Sequence, residues 1–169
     1  MDPFYQEGAN LMKILYAASE ATPFAKSGGL ADVLIIHLMR GGKSKIMPKV
    51  FQINVTANWG STGKIAEQIG SCAIQHGWDS YLAYGRMSNP SKNSLIKIGN
   101  QLYVYEHYIE NKLFDNEGLA SRYATVKLIN KIKEISPDII HLHNIHDHYL
   151  NYKLLFNFLN SISIPVVWT

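Results

Sequence analysis

Residues Pro48 to Gly63 read PKVFQINVTANWGSTG, and this stretch decides the fold. Val50 to Val55 is an apolar run suited to a buried strand. It empties into a loop that carries Gly60, Ser61, Thr62 and Gly63, and a helix begins at Lys64. A strand that passes through a glycine turn into a helix gathers free backbone N–H groups and the positive helix end at one point. That is an anion site. The spacing excludes the P-loop, which needs four residues between its first glycine and a Gly-Lys followed by Ser or Thr. Here only Ser61 and Thr62 separate the glycines, and Ile65 follows Lys64. The dinucleotide fingerprint fails on its glycine spacing as well. A turn whose glycines merely let a helix pack on a strand fits the same residues equally well.

The chain has 169 residues, 47% hydrophobic and 17% charged, which suits one folded domain with a real core and excludes disorder. No apolar run has the length of a membrane span, and Met1-Asp2-Pro3 lacks the basic and hydrophobic character of a signal peptide. A cytoplasmic protein is expected, with peripheral association at the inner membrane face left open. The single cysteine, Cys72, excludes an internal disulfide and reads as a small buried hydrophobe. The net charge is +3, with Arg40, Lys43, Lys45 and Lys49 clustered beside Gly41-Gly42. No aromatic residues interleave to stack bases, so this reads as a solvated linker, and no nucleic-acid partner is expected.

Apolar runs at Ile14–Ala18, Val50–Val55, Tyr81–Ala83, Ile139–Leu142 and Val166–Trp168 do not alternate with polar residues, as in parallel strands buried on both faces. Helical patterns lie between them. Ile65, Ile69, Cys72, Ala73 and His76 mark one face of a helix ending at Gly77. Leu119, Tyr123, Val126, Ile129, Ile132 and Ile135 mark another, stopped by Ser136-Pro137. Tyr149–Leu159 is a third, and Gln101–Phe114 reads as helical. The expected fold class is α/β, a Rossmann-like, mostly parallel, doubly wound sheet. The strand–glycine loop–helix opening occurs twice, at Lys13–Ala18 with Gly28-Gly29 and again at Lys49–Val55 with Gly60 and Gly63. The doubled opening fits an extra edge strand of the same sheet as well as an appended leader; the expected division is a leader, residues 1–47, and a domain, residues 48–169.

Pro48 to Thr169 resembles the N-terminal half of bacterial family-4-type GT-B glycosyltransferases, which build cell-surface polysaccharides. The resemblance rests on VFQINVTANWGSTGKIAEQIG, the AYGR at Ala83–Arg86, GLASRYATVKLI from Gly118, PDIIHLHNIHDHYLNYKLLFNFL from Pro137, and the closing PVVWT. Met12 to Val33, MKILYAASEATPFAKSGGLADV, resembles the opening of bacterial glycogen or starch synthases. The resemblance implies a retaining transfer of sugar from a nucleotide-sugar to an acceptor, without metal or other cofactor. It assigns the donor diphosphate to Gly60, Ser61, Thr62 and Gly63, and to Lys26 with Gly28 and Gly29. Backbone amides and an ammonium there would neutralise the leaving diphosphate. It also implies that the nucleotide-binding half lies outside these residues, so the chain alone is expected to be inactive. The face on which that half would dock leaves a homodimer open. No catalytic residue is assigned.

The run His141-Leu142-His143-Asn144-Ile145-His146-Asp147-His148 invites a metal reading. Metallo-hydrolases with His-x-His-x-Asp-His place Asp where Ile145 stands, and no second ligand cluster is evident. If the strand continues, His141 and His143 are expected on opposite faces. Within the glycosyltransferase resemblance, His143, Asn144 and His146 line the acceptor cleft; on a purely structural reading, His141 is a satisfied core histidine. Arg86, just past the third strand, could meet an anionic acceptor, and Trp59 could stack on a sugar ring. Arg122 reads as an ion-pairing helix residue, Trp78 and Trp168 as core. A non-enzymatic module that binds an anion or a partner is the alternative.

Overall fold

The computed structural model describes residues 14–16, 47–99, 121–146 and 149–169. Their elements in chain order are β1 (Ile14–Tyr16), β2 (Lys49–Asn54), α1 (Gly60–Gln75), β3 (Asp79–Tyr84), β4 (Ser94–Lys97), α2 (Arg122–Ile135), β5 (Ile139–Leu142), α3 (Tyr152–Asn160) and β6 (Val166–Trp168). The strands form one six-stranded sheet in the order β1-β6-β5-β2-β3-β4. Every neighbouring pair is parallel. This is the expected Rossmann-like α/β arrangement, and β2 lies inside the sheet, flanked by β5 and β3.

Successive strand residues face opposite sides, so β2 contributes to two cores. Phe51, Ile53 and Val55 join Ala83, Ile140, Leu142 and Val166 on one face, under Leu128 and Ile132 of α2 and Leu155 and Leu159 of α3. Val50, Ile139 and Val167 face the other way, towards Ala73 of α1 and Trp78. With helices on both faces, strands apolar on both sides stay buried.

The helices are turned relative to the faces expected from the sequence. On α1 the buried residues are Gly63, Ala66, Ile69, Gly70 and Ala73, whereas Ile65 is 44% exposed and His76 is exposed. Small side chains bring α1 close to the sheet, and this outweighs the larger apolar residues beside them. Cys72 is only half-buried, against the Val50–Trp78 cluster. On α2 the buried stripe is Ala124, Thr125, Leu128, Ile132 and Ile135, while Tyr123 and Val126 are exposed. The strand β4 was not anticipated. It is a four-residue edge strand, mostly exposed, without the apolar run that marks a buried one. The Gln101–Phe114 helix, Lys26 and Gly28-Gly29 lie outside the described residues.

Candidate functional site

From β2 the chain proceeds to β3 and β4 on one side, then returns to place β5 and β6 on the other. The reversal falls between β2 and β5. Beyond β2 the chain enters α1 on one face; beyond β5 it enters α3 on the other. Such a switch point opens a crevice at the carboxyl ends of the strands, where open α/β sheets take ligands.

The loop after β2 is held from several directions. The Thr56 hydroxyl donates to the Trp59 carbonyl at 2.7 Å. Ala57 N–H donates to Met87 O at 2.9 Å, and Asn89 N–H to Ala57 O at 2.9 Å, so the loops after β2 and β3 pair locally. Asn58, at φ 50°, donates through Nδ2 to Pro90 O at 2.6 Å, and its own carbonyl accepts from Asn89 Nδ2 at 2.9 Å. Trp59, 45% exposed, occupies the N-cap of α1 in an extended conformation, and its side chain makes no capping hydrogen bond.

The glycines of this turn serve different ends. Gly60 has φ +66°, which favours glycine, and a Cβ there would meet nothing within 4 Å. A Cβ on Gly63 would stand 2.6 Å from Thr56 Oγ1. Gly63 is buried and lets the helix seat on the loop, whereas Gly60 and Ser61 are exposed and Thr62 is half-buried.

At the end of β5, His143 N–H donates to Ile53 O at 2.9 Å and Asn144 N–H to Asn54 Oδ1 at 3.2 Å. Asn54 Nδ2 donates to Thr56 O at 2.8 Å. The fully buried Asn54 thus ties the two crevice loops together. Its only signal in the sequence is a polar residue ending an apolar strand.

His141 and His143 share one face, against the expectation of opposite faces. Residues two apart on a strand are a full pleat period apart and point the same way. Their ring centroids are 3.9 Å apart. Thr169 Oγ1 lies 3.2 Å from both His141 Nε2 and His143 Nδ1, and His143 Nε2 lies 2.9 Å from Gln52 Oε1. Burial holds His141 down to about 4, and burial, then the neighbouring His141, keeps His143 well below its usual value. At 3% exposure His143 is an interior side chain, not an open lining of the cleft.

Asn144 is half-buried and His146 exposed. Asn144 Oδ1 accepts from His146 N–H at 3.0 Å, and Asn144 O accepts from the Tyr149 hydroxyl at 2.8 Å. The His146 ring stands edge-on to Tyr152, centroids 6.5 Å apart. Among the described residues, no group of three His, Cys, Asp or Glu is placed to hold a metal; Asp147 and His148 lie outside them. Arg86 is half-buried beyond β3, its N–H donating to Val55 O at 2.8 Å and its carbonyl accepting from the Lys97 ammonium. Gly85 gives way to the Tyr149 ring, 2.4 Å from the place of a Cβ, so the glycine of this turn serves packing. Trp78 is buried, and Trp168 is half-buried against Phe156, centroids 5.6 Å apart. Arg122 is exposed at the start of α2.

A parallel sheet with helices on both faces, and a glycine turn at its switch point, define the class: a Rossmann-like α/β domain, an arrangement consistent with one half of a GT-B glycosyltransferase. Residues 13–154 match the family of starch synthase catalytic domains, and the chain belongs to that family. It is 34% identical over 149 residues to a glycogen synthase of Bacillus subtilis (strain 168), an alignment covering 85% of this chain and 30% of that protein. It is 30% identical over 148 residues to a glycogen synthase of Streptococcus agalactiae serotype III (strain NEM316), with the same coverage, 85% and 30%. The chain thus spans about 30% of the length of these relatives. No solved structure matches the chain at a significant level. Among the described residues, no helix is long and apolar enough to cross a membrane.

Proposed function

We propose that this chain forms the acceptor-side half of a retaining glycosyltransferase. The complete enzyme transfers a sugar from a nucleotide-sugar to a polysaccharide hydroxyl, without a metal. The observation that carries this is the uncapped N-terminus of α1 at the switch point, opposite the end of β5. The amides of the exposed residues Gly60 and Ser61, with the half-buried Thr62 after them, receive the donor diphosphate. The helix dipole and a loop already fixed by hydrogen bonds oppose the charge that grows as the glycosidic bond breaks. Asn144, His146 and Arg86 face the acceptor side, and Trp59 offers a ring to a sugar. Lys26, Gly28 and Gly29 add a second phosphate contact, by resemblance alone.

The relatives' name, glycogen synthase, favours a growing glucan as acceptor over the cell-surface polysaccharide suggested by the family-4-type resemblance. A donor pocket between two α/β halves needs both. The 169 residues alone therefore turn over little nucleotide-sugar.

The test is a titration of the chain with inorganic pyrophosphate, followed by amide NMR. Shifts concentrated at Gly60 to Thr62 are expected. Ser61→Asp, on the exposed first turn, supports the helix but repels the anion, and should abolish those shifts. Unchanged binding in that variant overturns the reading.

A further inference from the structure

Beneath α1 a hydrogen-bond chain crosses the sheet, and its proton direction is fixed at one end. Glu67, on α1, offers only acceptor oxygens. They take Lys92 N–H at 2.9 Å, the Ser91 hydroxyl, and Asn93 Nδ2 at 2.8 Å. With its NH2 turned to Glu67, Asn93 presents Oδ1 to the sheet, where it accepts from Ser80 Oγ at 2.5 Å and from Gln52 Nε2 at 3.5 Å, the longest link. Gln52 therefore turns its carbonyl oxygen to His143 Nε2, 2.9 Å away. That oxygen has no hydrogen to give, so His143 Nε2 carries the proton and Nδ1 is bare. Thr169 donates to Nδ1 and in turn accepts from His141 Nε2–H, both at 3.2 Å. The chain ends at His141 Nδ1, a buried acceptor without a hydrogen-bond partner.

We infer that Glu67, acting through Asn93 and Gln52, is a positioning residue that holds His143, and through Thr169 His141, as neutral Nε2–H imidazoles. Glu67 sits on α1, whereas Thr169, towards the far end of the hydrogen-bond chain, is exposed. The helix is pressed onto the middle of the chain, since a Cβ on Gly70 would stand 1.7 Å from Asn93 Oδ1. The proton-bearing edge of His143 thus answers to a carboxylate on the helix whose first turn forms the anion site. With both His143 nitrogens engaged internally, ligand contact at the end of β5 passes to Asn144 and His146. That last consequence rests on the crevice assignment proposed above. The tautomers do not.

The experiment is long-range 15N–1H NMR of the 15N-histidine-labelled chain near neutral pH, which distinguishes protonated from bare ring nitrogens. Single Nε2–H patterns are expected for His141 and His143. Glu67→Gln lets the Asn93 and Gln52 amides reverse, and Gln52→Leu removes the acceptor; each should cost His143 its single pattern. Gln52→Glu keeps an oxygen on Nε2 and should retain it. An Nδ1–H pattern in the wild-type chain overturns the inference. So does a pattern indifferent to both Glu67→Gln and Gln52→Leu in variants that keep the native backbone spectrum. A failure of pyrophosphate to bind leaves these signals untouched, so the two proposals fail separately.

Discussion

The two faces of the sheet are built for different work. The face under α2 and α3 is a continuous apolar core, Phe51, Ile53, Ile140, Leu142 and Leu155 among it. Its helix α3 opens on a proper cap, Asn151 Oδ1 accepting from Leu154 N–H at 3.0 Å, and Asn151 N–H is in turn bound to Thr125 Oγ1 at 2.8 Å. The face under α1 has smaller apolar clusters, a buried polar chain through Gln52, His143 and Asn93, and a helix that opens without a cap. A capped helix end has satisfied its own amides and offers little to a ligand. An uncapped one beside a braced loop keeps them available. The contrast teaches that one side of the strands is closed by apolar packing and a capped helix, while the other keeps buried polar groups and a helix start without a side-chain cap.

Acid should separate the faces most strongly. His141 stays neutral in the fold down to about 4, against 6.5 for the free side chain. Below pH 6.5 the unfolded chain takes up a proton that the folded chain refuses, so stability is intact above that value and falls as pH drops towards 4. For His141 alone the loss reaches about 3 kcal/mol by its folded pKa, and His143 adds to it in the same direction. Denaturant midpoints between pH 7 and 4 should show the decline, with amides of α1 losing hydrogen-exchange protection before those of α3. A flat profile would mean that the polar chain is not buried as described.

A smaller blow to the same face is Gly63→Ala. The added methyl meets Thr56 Oγ1 at 2.6 Å and the loop backbone at 3.3 Å. Overpacking of this kind costs about 1–3 kcal/mol, and urea unfolding measures it. The loss would come from a displaced turn, not from bulk standing before the amides, because Gly63 faces inward.

The finest comparison exchanges the two helix starts. Asn151→Ala should destabilise by about 1 kcal/mol. Trp59→Asp places a capping carboxylate on α1 and should stabilise by roughly 0.5–1 kcal/mol while excluding pyrophosphate. Thermal melts read the first effect of each variant, and the pyrophosphate titration the second. If Trp59→Asp still binds the anion, the uncapped end is not the site.

The buried strands were legible because a strand covered on both faces must be apolar throughout. β2, β3, β5 and β6 stand where their runs lie, and the glycine turn enters a helix, although the helix begins at Gly60 and not at Lys64. β4 was not legible, since an edge strand needs no such run. The helix faces were misjudged because periodicity registers large apolar residues, whereas α1 approaches the sheet through glycine and alanine. In the crevice, the glycine turn could be singled out from the motif, but the joining role of Asn54 could not. A hydrogen bond from β2 to a loop about ninety residues later leaves no local pattern.

The amino-acid order alone determined an α/β layer of parallel strands and a helix start rich in free amides, because both follow from short-range sterics and the hydrophobic period. Tertiary structure alone decided that β2 and β5 meet at the switch point. It also decided that His143 turns inward to Gln52 and that α1 rests on Asn93. Those outcomes depend on which distant residues a fold brings within hydrogen-bonding distance, and one-dimensional spacing does not encode that.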